Sequence, residues 1–175
     1  METIRSTAIS EIAVNEDRTE RYFYKRTWTR SKKPKLACIL TKYPVNDEPG
    51  MMDLTTMLIA NELYGLGEYD GFILVNLTSK LGPQKSLTKD DFSKENDAAV
   101  LSAFNDEQVQ KIIIAVGSII KTNKDTALKV KELIDQLSND RKEIVEVLVG
   151  RNGPVHPLSP QARSRGGWNL AKASI

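Results

Sequence analysis

One cysteine and one histidine serve the whole 175-residue chain. A single cysteine forms no internal disulfide, and Cys38, inside the apolar run LACIL, reads as a small buried core residue. One histidine and one cysteine also fall short of the usual zinc ligand sets, so no metal and no cofactor are expected. Neither charge sign dominates: the formal net charge is +2, and bulk charge selects no partner. Long apolar stretches are missing too. With no signal-peptide pattern and no membrane-length run, a cytoplasmic setting without membrane contact is expected. The chain contains no GxxxxGK[ST], no GxGxxG and no GxSxG, which removes the usual nucleoside-triphosphate, dinucleotide and serine-hydrolase readings. Internal repeats and low-complexity tracts are also absent.

What the chain does have is a set of four short apolar runs that stop on small or polar residues. They are LACIL from Leu36 to Leu40, FILVNL from Phe72 to Leu77, KIIIAV from Lys111 to Val116, and IVEVLV from Ile144 to Val149. Helical patterns separate them. Asp53 is placed to cap a helix from Leu54 to about Tyr64, ended by Gly65 and Gly67. Ser93 or a neighbour caps a second helix carrying Val100, Leu101 and Phe104. Leu128, Val130, Leu133, Ile134 and Leu137 mark a third between Asp125 and Leu137. Strands alternating with helices at intervals of about 30 residues predict a parallel sheet with right-handed crossovers. The expected architecture is therefore α/β: a three-layer α/β/α domain with a four-stranded parallel core. RYFYKRTW, alternating with aromatics on both faces, adds one extra N-terminal strand. Residues 1–19 read as an arm or a loosely attached strand, 20–160 as the single domain, and 161–175 as a tail.

Ligands of such sheets bind beyond the carboxyl ends of the strands. That places the candidate site among Thr41 to Pro44 (including Tyr43), Asn76 to Ser79, Gly117-Ser118, and Gly150 to His156. Each candidate carries a plain structural reading beside the functional one. Asn76 either braces a loop or offers an amide donor and acceptor to a ligand. Gly117 serves a tight turn, a close backbone approach to a ligand, or both. Asp53 is a helix cap or a base, and Asn96 and Asp97 fall in a first helical turn where capping explains them. His156 differs, because the Pro-flanked loop VHPLSP suits core filling poorly and suits donation to developing charge well. Arg151, Arg163 and Arg165, with Trp168 behind them, are either a phosphate-facing cluster or a solvated tail.

Taken together and in order, RYFYKRTW, Asp53-Leu54-Thr55, Val75-Asn76-Leu77, KENDAAV, Ala115-Val116-Gly117 and His156-Pro157-Leu158 resemble the bacterial and phage family called domain of unknown function 1643. The resemblance covers roughly Arg21 to Ser159. This chain departs from the family at two points: Thr41-Lys42-Tyr43-Pro44 replaces an Asn-Pro-Ser-like turn, and Val116 replaces a tryptophan. The layout is similar, more distantly, to uracil-DNA glycosylases, whose His-containing loop after the fourth strand VHPLSP echoes. That likeness implies a glycosylase-like fold with LACIL and KIIIAV as its two central strands, a base-reading role for Asn76, and a role for His156 in steadying charge on a departing base. It makes Asp47 or Asp53 the group that positions water, although the glycosylases' Gly-Gln-Asp-Pro signature is absent. Tyr43, Thr55, Asn96, Gly117, Ser118 and Arg151 complete the expected ligand contacts.

The expected function is recognition of a nucleobase, nucleotide or nucleic-acid ligand, with metal-independent hydrolysis of an N-glycosidic bond as its chemistry. The alternatives are a non-catalytic phage or mobile-element protein that captures a nucleotide-like ligand or a host protein, and a structural interaction module. Because the Asp and Glu residues show no ligand-like spacing, chelator treatment is expected to leave the thermal midpoint unchanged. A drop on adding chelator, reversed by one particular metal, would contradict the reading.

Overall fold

The computed structural model describes residues 1–29, 31–84, 86–164 and 167–173. All four apolar runs form strands: β3 (Leu36–Thr41), β4 (Gly71–Asn76), β5 (Val109–Ile114) and β6 (Val145–Gly150) follow β1 (Ile9–Val14) and β2 (Arg21–Thr27). β3 pairs in parallel with both β4 and β5, and β5 pairs in parallel with β6. LACIL and KIIIAV thus lie between FILVNL and IVEVLV. All six residues of β3 and of β4 are buried, which is why these runs read as continuously apolar rather than alternating.

The sheet is wider and more mixed than four parallel strands and one addition. β2 joins β4 antiparallel, and β1, from the stretch read as an arm, joins β2 antiparallel. At the other side β7 (Gly153–Pro154) and β8 (Asn169–Lys172) both pair antiparallel with β6, β8 coming from the stretch read as a tail. The result is an eight-stranded sheet. β1 is the loosely attached strand that residues 1–19 allowed, whereas β8 escapes a sequence reading because it is only four residues long and gains its order from β6.

Helices cover both faces. α1 (Leu54–Leu66) packs Ile59, Ala60 and Leu63 against Ala37, Ile39, Phe72 and Leu74. α2 (Lys94–Phe104) and α4 (Lys124–Asp135) cover the opposite face, where Val100, Phe104, Val130 and Leu133 meet Cys38, Leu40, Val75 and Ile114. Two short helices, α3 (Ile119–Thr122) and α5 (Asn139–Glu143), complete the chain. The caps follow the sequence signals. Asp53 and Ser93 accept from the backbone N–H groups of Thr56 and Asn96, and Gly67 ends α1 in the left-handed conformation. Among the described residues, no helix is long and apolar enough to cross a membrane.

Asn96 joins α2 to the end of β4. Its buried Nδ2 donates to the carbonyls of Asn76 (3.0 Å) and Leu77 (3.1 Å). Asn96→Ala removes both bonds and strands two buried carbonyls, so we expect a stability loss of about 2–3 kcal/mol in urea unfolding. A loss below about 0.5 kcal/mol would show that the brace is dispensable.

Candidate functional site

At the carboxyl ends of β3 and β5 the chain must turn away from the sheet, and a cavity of about 360 Å³ opens there. Thr41, Lys42 and Tyr43 leave β3 along one wall, and Val116, Gly117 and Ser118 leave β5 along another. Asp53, Thr55 and Thr56, at the N-terminus of α1, form a third. His156 and Leu158 arrive from the loop after β7, and Arg21 enters from the start of β2.

Strand pairing explains how His156 reaches this place. Val149 pairs with both Asn169 of β8 and Pro154 of β7, so the two partners take opposite edges of β6. Val147 likewise has β5 on one edge and β8 on the other. β7 therefore lies on the β5 side, beyond the point where β5 ends, and the chain following it runs back toward the end of β5. There it meets Gly117. A Cβ on Gly117 would sit 3.2 Å from His156 Cβ, and the residue has φ +84°. The tight-turn reading of this glycine holds, since the backbone there is left-handed, and the space a side chain would need is taken by the His156 loop.

The His156 ring is held by its own loop. Nδ1 accepts from the backbone N–H of Leu158 at 3.2 Å, while the His156 carbonyl accepts from Ser159 N–H at 2.8 Å. With Nδ1 an acceptor, the neutral ring carries its proton on Nε2. Burial pushes the imidazole pKa down to about 4, the Asp53 carboxylate opposing the shift and the Lys42 ammonium adding to it. At neutral pH the site holds an uncharged imidazole with one N–H to give.

Asp53 keeps its cap and also lines the cavity. Oδ1 accepts from Thr56 N–H at 3.1 Å and Oδ2 from the Thr56 hydroxyl at 2.8 Å. Of the expected site residues, the structure brings together His156, Asp53, Tyr43, Thr55, Gly117 and Ser118. Four others lie off the cavity wall. Asp47 accepts from Arg18 Nε at 2.7 Å in a surface ion pair. Asn76 is wholly buried, its Nδ2 donating to Thr41 Oγ1 at 2.6 Å. Asn96 is the brace already described. Arg151 is exposed, with its backbone N–H bonded to Gln161 Oε1. Arg163 is exposed as well, Trp168 is bound through its N–H to Glu62 Oε1, and Arg165 lies outside the described residues.

The residue that sequence reasoning missed is Arg21. It is 1% exposed, lines the cavity, and lies with its guanidinium 5.7 Å from the Tyr24 ring centre. In the sequence it is one basic residue in an alternating strand, and only β2–β4 pairing shows its depth. Among the described residues, no group of three or more His, Cys, Asp or Glu is placed to hold a metal ion.

The chain belongs to the family whose model is described as Protein of unknown function (DUF1643), which matches residues 21–158. No curated protein and no solved structure matches it.

The lone histidine makes its titration directly observable. Its imidazole resonance should stay in the neutral position down to about pH 5 and titrate near 4, against an ordinary value of about 6.5. The folded pKa is depressed, so the unfolded chain binds this proton more readily. His156 therefore lowers stability as pH falls from about 6.5 toward 4, and adds no further slope below that. In His156→Gln this part of the pH dependence should vanish. A wild-type resonance titrating at about 6.5 would mean that the ring is solvated.

Proposed function

With a family description that carries no activity, and from the site itself, we propose that the cavity recognises a nucleobase or nucleotide and hydrolyses its N-glycosidic bond without a metal ion. One observation supports this above the others: a neutral His156, its Nδ1 already engaged, shares one small cavity with the carboxylate of Asp53. A volume of about 360 Å³ suits a small ligand of this class. The glycosylase-like fold belongs to the same proposal, supported by the parallel ladder and by the histidine loop that follows its last strand.

In the proposed reaction the bond between the sugar's anomeric carbon and the base nitrogen breaks, and its electron pair leaves with the base. Water supplies the new carbon–oxygen bond. Asp53 orients that water and accepts its proton, which the departing base finally takes up at nitrogen. His156 Nε2–H donates to the base carbonyl where negative charge collects, and being neutral it keeps its own proton. Asn76 lies beneath the wall, so base contacts fall to Tyr43, Thr55 and Ser118.

A second reading, capture of a nucleotide-like ligand without turnover, is favoured by the engagement of both Asp53 oxygens with Thr56. Nucleosides, nucleotides and uracil-containing DNA, assayed both for binding and for released base, separate the two. Hydrolysis predicts free base. It also predicts that Asp53→Asn, which keeps a good cap, retains binding and loses turnover. His156→Ala should fold within about 1 kcal/mol of wild type and lose about tenfold or more in binding or rate. His156→Gln should restore binding more than turnover. Binding with no base released from any substrate supports capture, and neither binding nor release overturns both readings.

A further inference from the structure

Three arginines of this fold are held in contrasting ways. Arg18, at the surface, is answered by the carboxylates of Asp47 and Glu48. Arg141 spends its guanidinium on the carbonyls of Phe104 and Val109. Arg21, buried far more deeply than Arg18, has much less. Its Nη1 donates to the Asn46 carbonyl at 2.9 Å, and among the described residues that is its hydrogen bonding. Nε is buried without a partner, and among the described residues no carboxylate forms an ion pair with this guanidinium. Asp53 and Asp47 act on it only as more distant charges.

Such an arrangement is costly when left alone. A buried cation needs a counter-charge or a full set of acceptors, and a guanidinium stays protonated rather than escaping by titration. Burial does lower the Arg21 pKa, which is the same cost seen from the proton's side. Beside it, the described lining of the cavity holds one carboxylate, that of Asp53, which already serves Thr56, and His156 there is neutral. The fork of a guanidinium matches the oxygens of an oxyanion, and a bond from Nε to such an oxygen would satisfy the orphaned donor.

We propose that Arg21 is the anion-recognition residue of this cavity and that it binds the phosphate of a nucleoside monophosphate. The proposal rests on the nucleotide reading above and deepens it: the ligand is held at its phosphate as well as at its base. The phosphate completes the hydrogen bonding of a side chain that the protein leaves incomplete.

Calorimetric titration of the full chain with a nucleoside monophosphate, the matching nucleoside, and ribose 5-phosphate tests this. The monophosphate should bind about tenfold or more tightly than the nucleoside, and added salt should shrink the difference. Arg21→Met should abolish that difference while leaving the thermal midpoint of the free protein equal or higher, since a buried unpaired charge has gone. A purely structural arginine predicts the reverse, a lower midpoint with the phosphate increment intact. Arg21→Gln serves the same purpose if the methionine variant does not fold. Equal affinities for nucleoside and monophosphate, or an increment that survives in a folded Arg21 variant, overturn the proposal while leaving the nucleobase reading standing. Arg21-dependent binding of ribose 5-phosphate, with no affinity for nucleosides, does the opposite: the anion site stands and the nucleobase reading falls.

Discussion

Burial of a parallel ladder on both faces is the constraint from which the rest follows. β3 and β4 expose none of their residues, so neither strand has an alternation that would let a polar side chain escape to solvent. Parallel pairing then sends their carboxyl ends, and those of β5 and β6, to one edge of the sheet. Polar groups excluded along β3 and β4 gather where those strands stop. Thr41, Asn76 and Gly117 are the first residues at which the runs yield, and the cavity begins at that level.

The same burial sets the electrostatics of the edge. A partly buried imidazole loses its charged form, whereas the fully buried guanidinium of Arg21 keeps its charge and is left with an incomplete set of partners. The two responses differ because histidine titrates near neutrality and arginine does not. Beneath them a chain of hydrogen bonds closes the end of the sheet. Asn96 Nδ2 donates to the Asn76 and Leu77 carbonyls, and Asn76 Nδ2 donates to Thr41 Oγ1, which lines the cavity. Asn76 and Asn96 are thus linked to the cavity wall through Thr41.

Legibility in the sequence tracked the range of the interaction involved. The four core strands, the caps at Asp53 and Ser93, and the break at Gly117 are local signals, readable from runs and single residues. His156 was legible because two prolines flank it in a segment where no core face exists. Asp47 was not, because its partner Arg18 is distant in sequence. Arg21 was hidden for a related reason. Its depth depends on the register of β2 against β4 and on a carbonyl from the loop at Asn46, and neither leaves a mark within RYFYKRTW. β8 was hidden because NLAK has little apolar content, and its order comes from the free edge of β6.

Asp53 shows how closely fold and proposed chemistry are bound together. Thr56 donates one bond to each of its oxygens, while a carboxylate has about four acceptor positions. Acceptor capacity for a water molecule therefore remains without giving up the cap. Proton transfer is another matter. A protonated Asp53 loses the charge that favours the positive N-terminus of α1, and the oxygen that holds the proton becomes a poorer acceptor for Thr56. In the proposed reaction the proton can rest on Asp53 only briefly, because the helix that positions the carboxylate is weakened by the step the carboxylate performs. Rapid return of that proton to the departing base restores the cap, and the geometry of α1 is then recovered for the next ligand.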